Sequence, residues 1–185
     1  YFSKWVGEYP YNHVTAVDGT ISAGGGMEYP NITVIGTSGS HQSLETVIIH
    51  EVGQNWYYGI LGSNERDNAW MDEGLNTYIE IRYMQEKYKN GYIRKKDSSI
   101  VSTNRGISIS LPVDEKSIHR IGYIFNASRN MDQPLQMGSK YFTSLNYGGM
   151  VYSKTGIGFH YLKDYLGEEL FDKAMNNYFD KWKFK

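Results

Sequence analysis

The sequence predicts an α+β fold, a short β region followed by a mainly helical body. Two observations carry this. The first forty residues hold Gly, Pro and β-branched clusters with an alternating Ile32, Val34 and Gly36, the period of a strand. From Ser43 onward, apolar residues recur at spacings of three and four, the period of helices with one buried face. A chain of 185 residues with 40% hydrophobic content is enough for one substantial core. A single domain over residues 1–185 is therefore expected.

Each element follows from its local pattern. Gly24-Gly25-Gly26 reads as a loop leading into the strand around Ile32 to Gly36. Leu44, Val47, Ile48, Val52 and Trp56 line one face of a helix from Ser43 to about Tyr58, with Ser43 as its N-cap. Gly59 to Asn68 reads as a loop. A second helix runs from Trp70 to about Lys89, with Leu75, Tyr78, Ile79 and Tyr83 on its apolar face. Residues 90–137 are the least patterned, with an alternating Ile107, Ile109 and Leu111 and a helical hint from Ile118 to Phe125; no chemical role attaches to them. After Gly148-Gly149, a helix spans Met150 to Tyr165 and stops at Gly167. A last one, Glu168 to Trp182, keeps Leu170, Phe171, Ala174, Met175, Tyr178, Phe179 and Trp182 at helical spacing.

Composition removes whole classes of function. With 19 basic against 20 acidic residues, nothing neutralises a phosphate backbone, so no nucleic-acid partner is expected. No apolar run approaches the roughly 20 residues that cross a bilayer, so no membrane segment is expected. There is no cysteine, so a metal would have to be held by His, Asp, Glu or an amide. The chain opens at Tyr1 in an aromatic stretch without an initiator Met or a leader segment, which reads as a piece of a longer protein.

The chemically informative segment is His50-Glu51-Val52-Gly53-Gln54. On a helix, residues 50 and 54 lie one turn apart on one face and can address one ion, while residue 51 reaches a water bound to it. Glu73, in Trp70-Met71-Asp72-Glu73-Gly74, returns against the first helix if the loop turns tightly. Two imidazoles and a carboxylate with one open position make a catalytic zinc site. Here Gln54 stands for the second imidazole. Glu73 has a plainer reading as a first-turn acid at a helix N-terminus. His13, His41, His119 and His160 have no ligand-spaced partner and read as surface or ordinary buried histidines.

Four motifs in order resemble the zinc aminopeptidase family of aminopeptidase N, a branch of the gluzincins. Gly25-Gly26-Met27-Glu28-Tyr29 resembles its G-x-M-E-N motif, His50 to Gln54 its HExxH, Trp70 to Gly74 its W-x-x-E-G, and Val151-Tyr152-Ser153-Lys154 its Y-x-K-G. Tyr9-Pro10-Tyr11, Leu166-Gly167-Glu168-Glu169 and Trp182-Lys183-Phe184 extend the likeness over nearly the whole chain.

The resemblance implies a thermolysin-like catalytic domain that hydrolyses the N-terminal peptide bond of a peptide. It implies zinc held by His50, Gln54 and Glu73, with Glu51 as general base and Tyr152 as donor to the oxyanion. Glu28 would pair with the substrate's free α-ammonium, and Gly25, Gly26 and Met27 would let the peptide approach a strand edge. Tyr147 is a rival to Tyr152. Flanking domains are expected in the full-length protein, a β-rich one before and a helical one after. The departures are Gln54 for His, Tyr29 for Asn and Thr155 for Gly. A neutral amide is a poorer zinc donor than an imidazole, so weak or absent zinc and depressed hydrolysis are expected. The alternative is an inactive peptide-binding domain.

Overall fold

A computed structural model describes residues 1–21, 24–88, 101–102, 108–109 and 114–185. A short helix α1 (Phe2–Trp5) precedes a small sheet of β1 (Thr15–Asp18), β2 (Gly26–Met27) and β3 (Ile32–Ile35), in the order β1-β3-β2. β1 runs parallel to β3, with Thr15 opposite Ile32. β2 runs antiparallel on the other side, with Gly26 opposite Ile35, and forms an edge of the sheet. The buried phase of β3 is Thr33 and Ile35, whereas Ile32 is exposed. Thr33 tolerates burial because its hydroxyl donates to the Met27 carbonyl at 3.0 Å.

Helix α2 (His41–Gln54) packs across β3 and β2. Its N-cap is Ser40, whose Oγ accepts from the Ser43 amide at 3.1 Å. The helix thus starts slightly before the residue that apolar periodicity alone selects. It continues as a π-helical turn, Asn55–Ile60. The segment read as loop contains a short helix α3 (Glu65–Ala69), whose cap Asn64 accepts from the amides of Arg66 and Asp67. A π-helical turn, Trp70–Gly74, leads into α4 (Leu75–Lys87). Two-residue strands β4 (Val101–Ser102) and β5 (Ser108–Ile109) pair antiparallel. Ile107 and Leu111 of the alternating run lie outside the described residues. The helical hint near residue 118 is a full helix, α5 (Glu115–Ala127), capped by Asp114.

A short helix α6 (Ser144–Asn146), a long π-helical segment (Tyr147–Lys154) and α7 (Thr155–Leu166) follow in direct continuation. α8 (Glu168–Trp182) keeps the bounds that its apolar stripe predicts. Gly167, at φ +82°, makes the break between the last two helices, a backbone region that glycine enters without a Cβ clash.

The core lies where α4 meets the π turn after α2 and the inner face of α8. Trp56, Tyr57, Ile60, Tyr78, Ile79, Phe171 and Phe179 are all buried there, with Phe2 and Trp5 of α1. Each such side chain contributes about 1.5–3 kcal/mol by leaving water. Arg82 of α4 is also buried and lies 4.3 Å over the Trp5 ring. Its two terminal guanidinium nitrogens donate to Asp172 of α8 at 2.5 and 2.9 Å. One cation thus joins α1, α4 and α8.

His160 of α7 is an ordinary buried histidine, as expected. Its ring lies 4.8 Å from that of Tyr78, and its Nε2 has no partner among the described residues. Burial lowers its pKa from 6.5 to about 3, with Lys116, Lys163 and Arg82 adding to the effect and Asp164 opposing it. The native state therefore refuses a proton that the unfolded chain accepts below about pH 6.5. Stability contributed in this way is intact above pH 6.5 and falls by about 1.4 kcal/mol per pH unit as the pH drops toward 3. Urea unfolding of the chain and of His160→Phe at pH 7, 5.5 and 4.5 should show the variant gaining on the parent as pH falls. A constant difference would contradict this.

Candidate functional site

His50 and Gln54 lie one turn apart on α2 and both reach Glu73, which the π turn Trp70–Gly74 brings back against that helix. His50 Nε2 is 3.0 Å from Glu73 Oε2, and Gln54 Nε2 donates to the same oxygen at 2.8 Å. The other oxygen, Oε1, accepts from the Tyr152 hydroxyl at 2.5 Å. Three predicted residues therefore converge on the carboxylate of a fourth. The three π-helical segments all adjoin this point: one follows Gln54, one carries Glu73 and one carries Tyr152. Such windings recur at functional sites.

Two glycines make the convergence possible. A Cβ on Gly74 would lie 2.4 Å from Thr155 Cγ2 and 2.6 Å from the Val151 carbonyl, so only glycine lets the Glu73 segment press against the Tyr152 segment. Thr155 itself is buried and continues the helix, its hydroxyl donating to the Met150 carbonyl at 3.3 Å. A Cβ on Gly26 would lie 2.2 Å from Glu51 Cγ, so the edge strand β2 lies directly on the Glu51 side chain. Glu28 follows at the end of β2, half-buried, between the exposed Met27 and Tyr29. Gly25 precedes it, holding the Gly36 amide on its carbonyl at 2.8 Å.

The electrostatics are those of a site short of positive charge. Both His50 nitrogens face carboxylates, Nδ1 lying 2.9 Å from Glu80 Oε2. Burial opposes a charge on the ring, but the bonds to Glu73 and Glu80 hold its pKa well above the ordinary value. Glu51 is buried, and burial raises its carboxyl to about 7; His50 opposes the rise, while Glu28, Glu73 and Glu80 add to it. Asp72 is pushed up to about 8 by burial, then by Glu73, Glu65 and Glu28 against His50. Glu28 is raised by burial, with its own backbone hydrogen bond opposing. Burial would raise Glu80, but the His119 and His50 rings beside it, the latter hydrogen-bonded at 2.9 Å, overcome that cost and hold it at about 2.

A cation suits this donor set. Ligands about 2.0–2.1 Å from a tetrahedral zinc lie roughly 3.4 Å apart. The separation of 3.0 Å between His50 Nε2 and Glu73 Oε2 needs only a few tenths of an ångström of opening. Gln54 Oε1 is buried and without a partner among the described residues. Turning the amide over would offer that oxygen to an ion, so the residues present fit a metal.

Between the two aromatic candidates, the geometry brings Tyr152 to Glu73. The Tyr147 ring lies behind it, edge-on at 5.8 Å, and burial raises its pKa to about 12. Sequence reasoning missed a surrounding layer. Asn76 Nδ2 donates to the His50 carbonyl at 2.6 Å, and the Thr77 hydroxyl donates to the Glu73 carbonyl at 2.7 Å. Glu80, Glu115 and His119 bring ligand-type atoms within 4.8 Å of one another. His119 therefore has partners after all, and residues 115–127 do contribute to the surroundings of the site. The available signals were Glu73 and Glu80 seven residues apart on one helical face, and Glu115 and His119 four apart.

Comparison with known proteins agrees in both sequence and shape. The family model described as the Peptidase family M1 domain matches residues 2–185. Leucine aminopeptidase 2-1 of Meyerozyma guilliermondii is 23% identical over 164 residues, covering 87% of this chain and 25% of that protein. Leucine aminopeptidase 2 of Chaetomium globosum is 26% identical over 167 residues, covering 87% and 24%. A crystal structure of the M1 zinc metallopeptidase from Deinococcus radiodurans superposes with a TM-score of 0.68 at 17% identity, covering 98% of this chain and 35% of that one. The chain thus spans about a quarter of the length of these curated relatives.

Proposed function

The chain belongs to peptidase family M1, and we propose that it is the catalytic part of a zinc-dependent aminopeptidase, removing N-terminal residues from peptides. The observation that carries this reading is the convergence of His50, Gln54 and Tyr152 on Glu73 beside the buried Glu51. His50, Gln54 and Glu73 hold the zinc. When bound, zinc polarises the scissile carbonyl and acidifies a water. Glu51 accepts the proton of the attacking water. Tyr152 donates its hydroxyl to the oxygen that gains charge in the transition state. Glu28 pairs with the α-ammonium, which restricts cleavage to the first peptide bond. Gly25, Gly26 and Met27 present the open edge of β2, to which an extended peptide adds as a further strand. The rest of the relatives' length leaves room for flanking domains in the full-length protein.

Gln54 weakens the metal and depresses hydrolysis. One observation favours a second reading, an inactive domain that binds peptides: Gln54 Nε2 already closes a hydrogen bond on Glu73, so the cluster holds together without an ion. The test is release of the first residue from a tripeptide and from its N-acetylated form, with added zinc, by the full chain and by Gln54→His. Release from the free peptide only, stronger in the variant, is expected. No release by either protein contradicts the enzyme reading, and binding of the free peptide without turnover by both supports the second.

A further inference from the structure

We infer that His119 is a positioning residue for this site, resting on the reading above that His50 is a zinc ligand: it steadies the outer oxygen of Glu80 and so fixes the His50 ring. Glu80 of α4 is buried and spans two histidines. Its Oε2 lies 2.9 Å from His50 Nδ1, and its Oε1 lies 3.6 Å from His119 Nε2. His119 Nδ1 in turn lies 3.1 Å from the Oγ of Ser153, a buried residue next to Tyr152.

With Ser153 donating to Nδ1, the proton of a neutral His119 ring sits on Nε2, facing Glu80 and, at 4.0 Å, Glu115. One line of side chains thus runs from α2 through α4 and α5 to the segment that carries Tyr152. The close fit of α5 supports this line, since a Cβ on Gly122 would lie 3.2 Å from Ser153 Oγ. Ligating imidazoles are oriented by the carboxylate on their other nitrogen, and loss of such partners costs roughly 10–100-fold in metal affinity. His119 acts one residue further out, through the carboxylate. Glu80, Glu115 and His119 could themselves be taken for a second metal site, but Glu80 is engaged by His50 and His119 by Ser153.

The test uses the full chain carrying Gln54→His, with His119→Ala, His119→Gln or Ser153→Ala added. Zinc affinity is read by competition with a chromophoric chelator, and the His50 ring nitrogens of the metal-free protein by long-range proton–nitrogen spectra. His119→Ala should weaken zinc about tenfold and shift the His50 ring signals. His119→Gln, whose amide can donate to Glu80 and accept from Ser153, should restore most of both, and Ser153→Ala should have a smaller effect of the same sign. A His119→Ala protein with a lower Tm but unchanged zinc affinity and unchanged His50 signals would overturn the inference, as would binding of two zinc ions. If the parent binds no zinc yet the His50 signals still move, the zinc reading fails while the positioning of His50 by His119 stands.

Discussion

Replacing Gln54 by histidine should raise zinc affinity by at least about 10–100-fold, since a change of direct ligand should exceed the cost of losing a ligand's outer partner. The reach of the amide resembles that of the imidazole's far nitrogen, so the geometry survives the exchange. What changes is the donor. The residue is 1% exposed and bonds Glu73 at 2.8 Å; a histidine there would offer an imidazole nitrogen in place of a neutral amide oxygen. Equilibrium dialysis with elemental analysis checks this. Equal zinc content in both proteins across a zinc titration would mean that residue 54 does not touch the ion.

Tyr152→Phe should lower kcat by about 100–1,000-fold with little change in KM, the cost of losing one donor to a developing oxyanion. The hydroxyl is already held at the site by Glu73, and its ring stacks near His50 at 5.8 Å between centroids. Tyr147→Phe is the control, because its ring packs behind. Steady-state kinetics on a tripeptide, in the Gln54→His background, separates the two. Equal losses for both tyrosines, or a loss confined to KM, would remove Tyr152 from the transition state.

The amphipathic helices were legible because burial dictates their period: α8 has the bounds that its stripe predicts. Where a polar contact decides, the pattern misleads. Ser40 caps α2 in place of Ser43 because the choice rests on one side-chain bond to an amide, not on periodicity. The π-helical segments were invisible, since over five to eight residues their spacing differs little from that of an α-helix. At the site, spacing placed His50 and Gln54 on one helical face, while bringing Glu73 to them depended on how the intervening chain turns. Glu28 and Tyr152 came only through the family resemblance, being separated from the cluster by long stretches of chain. Glu80 and His119 lie on different helices, so no local spacing links them. The packing of α5 on α4 and on the Tyr147–Lys154 segment brings this pair together.

Zinc held by His50, Gln54 and Glu73 would show in anomalous diffraction from crystals grown with zinc, with data on both sides of the zinc absorption edge. The predicted result is a single peak between His50 Nε2, Glu73 Oε2 and the Gln54 side chain. A peak among Glu80, Glu115 and His119, or none beside Glu73 at saturating zinc, would contradict it.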